Sequence, residues 1–242
     1  MTQSGQFRIQ FLGTGNTWCD AGRANQAILV GTGGRNLLVD CGPNTLLQAK
    51  RFGVDLTTLD AIFLTHLHAD HTFGLPTLLL EMNFFHRRQR PLAIYAPPGS
   101  GNYADRLLEM AYPDVFAQGL DYTFGTVEVG PSEHIDLGTC GVEVFEMDHS
   151  VVTNGYRFSS GNRAIAISGD TIPCAGLIAM SQDTDLLITE CSYPESLPGV
   201  AHTSLTALRA VAPELGAQRI AVIHTDGVSD VAPFEQPNDG DI

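Results

Sequence analysis

"FLTHLHADHTFGLP", residues 63–76, places three histidines and an aspartate, His66, His68, Asp70 and His71, within six positions directly after the apolar run "LDAIFLT" (59–65). That run has the length and composition of a buried strand. Strand side chains alternate, so His66 and His68 project the same way from its end, with Asp70 and His71 in the turn that follows. A divalent ion needs nitrogen and oxygen donors converging at about 2.0–2.2 Å, and neutral imidazole with carboxylate suits Zn²⁺ or Mn²⁺ better than Ca²⁺ or Mg²⁺. An HxHxDH stretch offers donors enough for two adjacent ions. A polar turn that merely satisfies backbone groups accounts for one histidine, not for three with an aspartate.

Outward from this stretch, three further candidates close apolar runs: His149 in "FEMDH" (145–149), Asp170 in "AISGD" (166–170) and His224 in "AVIH" (221–224). Strand-like runs in the first half also include "FRIQFL" (7–12), "QAILV" (26–30), "NLLVD" (36–40) and "LAIYA" (92–96). The second half repeats them with "YTFGTVEV" (122–129), "GVEVFEMDH" (141–149), "RAIAISGD" (163–170), "DLLITE" (185–190) and "RIAVIH" (219–224). Helical spacing marks "PNTLLQAKRFG" (43–53), "TFGLPTLLLEMNFFHRR" (72–88) and "TSLTALRAVAPELGA" (203–217), the last with Thr203 or Ser204 as cap and Gly216 as stop. Strands then helices, twice over, predict an α+β fold, a four-layer αββα sandwich of two pseudo-duplicated halves. No linker interrupts the chain, so residues 1–242 form one domain, with halves of 1–128 and 129–224 meeting near 125–135. The acidic, proline- and glycine-rich tail (225–242) is expected to be a loop or a frayed end.

Composition narrows the function. With 242 residues, 43% of them hydrophobic, the chain can bury a sizeable core, and a net charge of −14 repels an extended polyanion such as duplex DNA. The absence of a long apolar run, together with the opening "MTQSGQ", which lacks a leader's basic-then-apolar layout, predicts a soluble cytoplasmic protein with no membrane partner. Five scattered cysteines (Cys19, Cys41, Cys140, Cys174, Cys191) make neither a disulfide framework nor a thiolate zinc site.

HxHxDH with strand-end His149, Asp170 and His224 resembles the metallo-β-lactamase superfamily. Within it, "FLGTGNTWCDAGRANQAILV" (11–30), "LLVDCG" (37–42), "NGYRF" (154–158), "SGDT" (168–171), "ITECSY" (188–193) and "AHTSLTALRAVAPELGAQRIAVIH" (201–224) are similar to the ribonuclease Z branch. The resemblance implies a dinuclear site at the edge between the sheets. His66, His68 and His149 would hold one ion, Asp70, His71 and His224 the other, and Asp170 would bridge them. "TECS" (189–192) and "HTS" (202–204) match the branch's HEAT-like and HST-like motifs, which makes Glu190 and His202 a proton-donating pair, with Asp70 counted beside them as catalytic. The cofactors implied are two divalent ions, Zn²⁺ foremost, with Mn²⁺ and Fe²⁺ accepting the same donors. Two such ions about 3.5–4 Å apart share a hydroxide for in-line attack. A histidine held charged by a carboxylate protonates the leaving alkoxide, worth about 10²- to 10⁴-fold.

Some residues depart from the branch. Only 20 residues separate His149 from Asp170, where transfer-RNA-processing members insert an RNA-gripping arm; "HTDG" (224–227) replaces an HxSxRY-like ending, and "GRAN" (22–25) is a partial match. Together with the negative charge, these favour a small or cyclic phosphodiester as substrate over an extended nucleic acid. The resemblance also implies a homodimer. Alternatives are a lactone or thioester hydrolase, in which His202 would be dispensable, a transfer-RNA 3′-processing endonuclease, and a non-catalytic metal-binding module, which would need a closed ligand shell and no proton donor. Arg87, Arg88 and Arg90 in "HRRQRP" (86–91) are candidates to clamp a phosphate, weighed against cations that simply favour a helix C-terminus. Tyr156 is either a donor to substrate or a core residue.

Overall fold

In the computed structural model of the chain, residues 5–226 and 228–242 are described; residues 1–4, part of the stretch read for a leader, and Gly227 lie outside them. Among the described residues, one mixed sheet contains β1 (Phe7–Gly13), β2 (Ala27–Thr32), β3 (Arg35–Val39), β4 (Ala61–Phe63), β5 (Leu92–Ala96) and β6 (Phe124–Glu128), paired in chain order. The other contains β7 (His134–Asp136), β8 (Gly141–Met147), β9 (Thr153–Ser160), β10 (Arg163–Ile167), β11 (Leu186–Glu190) and β12 (Ile220–Ile223), also in chain order. The helices are α1 (Thr45–Arg51), α2 (Ala69–Thr72), α3 (Leu75–Leu80), α4 (Tyr103–Ala111), α5 (Pro113–Gln118), α6 (Ala175–Ser181) and α7 (Leu205–Val211).

Three apolar layers explain why four layers of structure stack. Leu38, Ile62 and Ile94 on one face of the first sheet bury against Leu75, Leu78 and Leu107 of α3 and α4. Their alternates Leu37, Val39 and Phe63 meet Val142, Tyr156, Phe158 and Ile167 of the second sheet. On that sheet's far side, Ala166, Leu187 and Val222 pack under Leu177 and Leu208 of α6 and α7. Each strand thus serves two cores through the period-two alternation of its side chains. The αββα sandwich expected from the sequence is the fold observed, with the rings of Phe63 and Phe158 meeting edge-on at 5.3 Å across the middle layer.

Two long helical segments are shorter than their apolar spacing predicts. Residues 72–88 break at Gly74, where a side chain would approach Gly42 O to 2.3 Å, and continue as α3 and a π-helical turn (Glu81–Phe85). Residues 203–217 are α-helical only to Val211, because Pro213 lacks the N–H that would continue the ladder, and a 3₁₀ turn (Ala212–Glu214) follows. Ser204 is the cap, its hydroxyl accepting from Ala207 N at 3.1 Å. The described tail is a loop, as expected, but it docks instead of fraying. Glu235 bridges to Ala221 on β12, and Phe11 N on β1 donates to Asp241 O at 3.0 Å. Unpaired edge strands offer their backbone groups to any partner, and here the tail takes both edges.

Tyr156 is fully buried and its hydroxyl donates to Leu64 O at 2.7 Å, so it is a core residue. The arginine candidates are engaged elsewhere. Arg88 donates to Thr57 O, Arg90 O and Pro91 O, Arg90 pairs with Asp60 at 3.0 Å, and Arg87 lies 3.8 Å from Asp121.

Candidate metal centre

β4 runs parallel to β3, and β10 and β12 run parallel to β11 between them; β4, β10, β11 and β12 all deliver polar residues at their C-terminal ends. Ligands of open α/β sheets gather at this edge because the loops there are free of the ladder. His66, His68, Asp70 and His71 follow β4, His149 follows β8, Asp170 follows β10, Glu190 ends β11 and His224 follows β12. Gly169 makes the β10 exit possible: its φ is +65°, and a Cβ there would lie 2.5 Å from Thr65 Cβ.

The structure brings these residues together in two adjoining sets, His66, His68, His149 and Asp170 in one and Asp70, His71 and His224 in the other. In the first, His66 Nε2 lies 3.0 Å from His68 Nδ1, which lies 3.4 Å from His149 Nε2. In the second, Asp70 Oδ2 is 3.4 Å from His71 Nε2 and 3.3 Å from His224 Nε2. Asp170 Oδ2 stands between the sets, 3.7 Å from His66, 3.5 Å from His71 and 3.6 Å from His224.

The donor set fits divalent ions. His71 Nε2 and Asp170 Oδ1 are buried and have no hydrogen-bond partner among the described residues, although burying a polar atom unpaired costs roughly 1–3 kcal/mol. Both belong to the cluster, where a cation would satisfy them. The ring nitrogens facing away from the cluster are occupied by oxygen acceptors in the manner of ligating histidines. His71 Nδ1 donates to Asp40 at 2.8 Å, His149 Nδ1 to Ala201 O at 2.8 Å, and His224 Nδ1 to Ser192 Oγ at 3.0 Å. These bonds fix the ring orientations and turn the inner nitrogens toward the cluster.

Asp40 and Ser192 are functional candidates absent from the sequence-level set. Asp40 is fully buried at the end of β3, with φ +60°, and its carboxylate also accepts from Gln26 Nε2 at 2.7 Å and Thr65 N at 2.8 Å. A polar residue closing the apolar run "NLLVD" is the same signal that marks Asp170. Ser192 Oγ donates to Glu190 Oε2 while accepting from His224, so it links a candidate ligand to the candidate acid–base pair.

Electrostatics separate the residues. Burial, the strongest influence on Asp170, favours its neutral form, but His224 and His71 outweigh it and hold the carboxyl well below the ordinary range. Burial also drives His66 well below the usual histidine value, reinforced by His71. His202 goes the other way: burial lowers it, yet the bond and charge of Glu190 prevail and raise it. His202 Nδ1 lies 3.0 Å from Glu190 Oε1, and the ring stacks on His224 at 5.6 Å between centroids. Glu190 is completed by Thr171 N at 2.7 Å. Cys191 beside it is buried with its thiol pushed up to about 12, which removes it as a nucleophile at neutral pH.

Comparisons with known proteins bear on the family and the fold. Residues 7–238 match the family described as Anti-Pycsar protein Apyc1. The chain is 27% identical over 282 residues to ribonuclease Z of Methanosarcina mazei, covering 94% of this chain and 90% of that protein. Its fold is that of the human tRNase Z short form, with a TM-score of 0.79 at 23% identity and 97% of each chain covered. A diphosphatase from the PhnP family is similar at a TM-score of 0.73 and 22% identity, with 97% of this chain and 96% of that one covered.

Proposed function

Since the chain belongs to the Anti-Pycsar protein Apyc1 family and is a hydrolase of metallo-β-lactamase fold, we propose that it is a dinuclear metal-dependent phosphodiesterase acting on a small or cyclic phosphodiester. The observation that carries this reading is the Glu190–His202 pair set against the metal cluster, with His202 Nδ1 3.8 Å from Asp170 Oδ2. A phosphodiester leaves an alkoxide that must be protonated, whereas a thioester leaves a thiolate that departs with less help. That contrast weighs against a thioester hydrolase, and a built proton donor weighs against a purely binding module.

His66, His68 and His149 would hold one ion and Asp70, His71 and His224 the other, with Asp170 Oδ2 near both sets. When bound, two divalent ions supply an activated water and neutralise charge on the phosphoryl oxygens; Zn²⁺ suits the donors best, with Mn²⁺ and Fe²⁺ the alternatives. Glu190 fixes the His202 ring by accepting its Nδ1 proton, which turns Nε2 toward substrate as the proton source for the leaving oxygen. Buried Asp40 keeps His71 in the tautomer that presents Nε2, and Ser192 does the same for His224.

Charge supports a small substrate. A groove of 1370 Å³ opens beside His149, the one candidate ligand in its lining, and carries Glu133, Glu143, Glu146 and Asp148. These four acids repel an extended polyanion, while Val152, 61% exposed, offers apolar contact to an organic moiety. Between His149 and Asp170, where an RNA-gripping arm would insert, the described chain is the β9–β10 hairpin turning at Gly161 and Asn162. The test is hydrolysis of a panel of bis-nitrophenyl phosphate, 2′,3′- and 3′,5′-cyclic nucleotides, a precursor transfer RNA and an acyl lactone, with metal content measured on the same sample. We expect turnover of the cyclic or small diesters, abolished by chelator; lactone turnover alone, or RNA cleavage without small-diester turnover, would replace the reading.

The homodimer is supported by apolar residues left exposed on the first half, among them Trp18 at 76% and Phe85 at 77%, with Leu47 on α1 and Phe73 after α2. Light scattering at micromolar concentration should give twice the mass of the chain, and a monomer would remove the assignment.

A further inference from the structure

The docked tail does more than cover two sheet edges. On β12, Glu235 N donates to Ile220 O at 2.9 Å and Val222 N to Glu235 O at 2.7 Å; on β1, Gly240 N donates to Phe11 O at 2.6 Å. Between these anchors Asp239 turns inward, and its carboxylate accepts four hydrogen bonds, from Thr14 N (2.9 Å), Thr14 Oγ1 (2.8 Å), Ala24 N (2.7 Å) and Gln48 Nε2 (2.9 Å). Arg23 closes the ring, donating to Thr14 Oγ1 at 2.8 Å, Pro237 O at 2.7 Å and Asn238 Oδ1 at 3.1 Å.

Thr14 is the point of contact with the metal cluster. Its carbonyl accepts the backbone N–H of His224 at 2.8 Å. On the other side of His224, Gln236 Nε2 from the same strap donates to Thr225 Oγ1 at 3.1 Å. His224 itself has φ +58°, a left-handed backbone that a histidine keeps only where its surroundings determine it. The strap therefore braces the chain on both sides of the one candidate ligand whose backbone is strained, through an anion whose bonds are charge-assisted.

We propose that Asp239 is a positioning residue that sets His224 through Thr14, so that the C-terminal strap determines how tightly the Asp70–His71–His224 set holds its ion. This rests on the metal assignment made above. Asp239 touches neither a candidate ligand nor the substrate groove, so its effect is confined to the second ion and leaves the His66–His68–His149 set alone.

The experiment uses the full chain and its Asp239→Asn variant, stripped of metal and titrated with Zn²⁺ against a chromogenic chelator, with amide hydrogen exchange of His224 followed on the metal-free forms. The variant keeps the side chain's size and loses its charge and two of its acceptor positions. One of the two binding constants is expected to weaken about 10- to 100-fold, the range for lost outer-shell partners, and to be the same constant that His224→Ala abolishes. The other constant stays within about threefold, and the His224 amide exchanges faster. A merely structural role would lower the melting temperature and leave both constants unchanged in the folded protein. Folded Asp239→Asn with wild-type constants and wild-type exchange overturns the proposal alone, whereas a wild-type chain that binds no Zn²⁺ overturns the metal assignment and the strap's role with it. Should Asp239→Asn not fold, Gln236→Ala, which removes only the bond to Thr225, must weaken the same constant; no change there overturns the proposal.

Discussion

Replacing Asp170 by alanine removes turnover of every small diester the wild-type chain accepts, by at least about 10²- to 10³-fold, the loss that follows removal of a single preorganised charge-stabilising group. Asp170 is 1% exposed, and its Oδ2 lies within 3.8 Å of His66, His71, His202 and His224. Without it, each set loses a donor and the two ions lose a negative charge between them, so metal content falls along with activity. Asp170→Asn keeps the volume and should fail almost as badly, since an amide offers one neutral oxygen where a carboxylate offers two charged ones. Metal analysis and kinetics on the same samples check this. An alanine variant with two ions and more than a tenth of wild-type turnover would remove Asp170 from the bridging position.

His202→Ala lowers turnover of a diester with a poor leaving group by about 10²- to 10⁴-fold and leaves bis-nitrophenyl phosphate nearly unaffected, because nitrophenolate departs without a proton. Glu190→Gln follows the same pattern more weakly: the amide can still accept from Nδ1 but no longer holds the imidazolium by charge. Metal content separates two roles for His202. Its Nδ1 is turned to Glu190, yet His202 also forms a possible ligand group with Asp170 and His224. Two ions retained in His202→Ala place it as the acid. An ion lost would make it a ligand instead, and equal losses on both substrates would end the proton-donor assignment.

Much of this site is legible before folding. HxHxDH needs only six consecutive positions, and His149, Asp170 and His224 each betray themselves as a polar residue closing an apolar run. Asp40 carries the same mark and escapes notice because a strand-end aspartate more often just begins a turn. The strands β7 and β9 are illegible for another reason. β9 contains Asn154 and Gly155 and is central in its sheet, with neighbours on both faces, so its hydrophobic alternation is blurred. Gly155 is required by packing, since a Cβ would meet Met180 Sδ at 2.8 Å.

The tail shows the limit more sharply. Proline, glycine and acid content predict a loop or a frayed end because such segments lack apolar surface to offset their ordering entropy. What orders residues 235–241 is instead a set of hydrogen bonds to sheet edges and to Thr14, a residue 225 positions from Asp239. Composition cannot register partners at that distance.

Local order along the chain determined the alternation of strands and helices, the αββα class and the identity of the candidate ligands, because each depends on side-chain periodicity or spacing within a few residues. The family resemblance had already divided the candidate ligands into two sets around one aspartate; tertiary structure alone decided that Asp40 and Ser192 bond the outer nitrogens of His71 and His224, and that the tail bonds Thr14 and Thr225 beside His224. Those outcomes depend on contacts between residues far apart in sequence, which come into being only when two sheets close face to face and bring their C-terminal edges together.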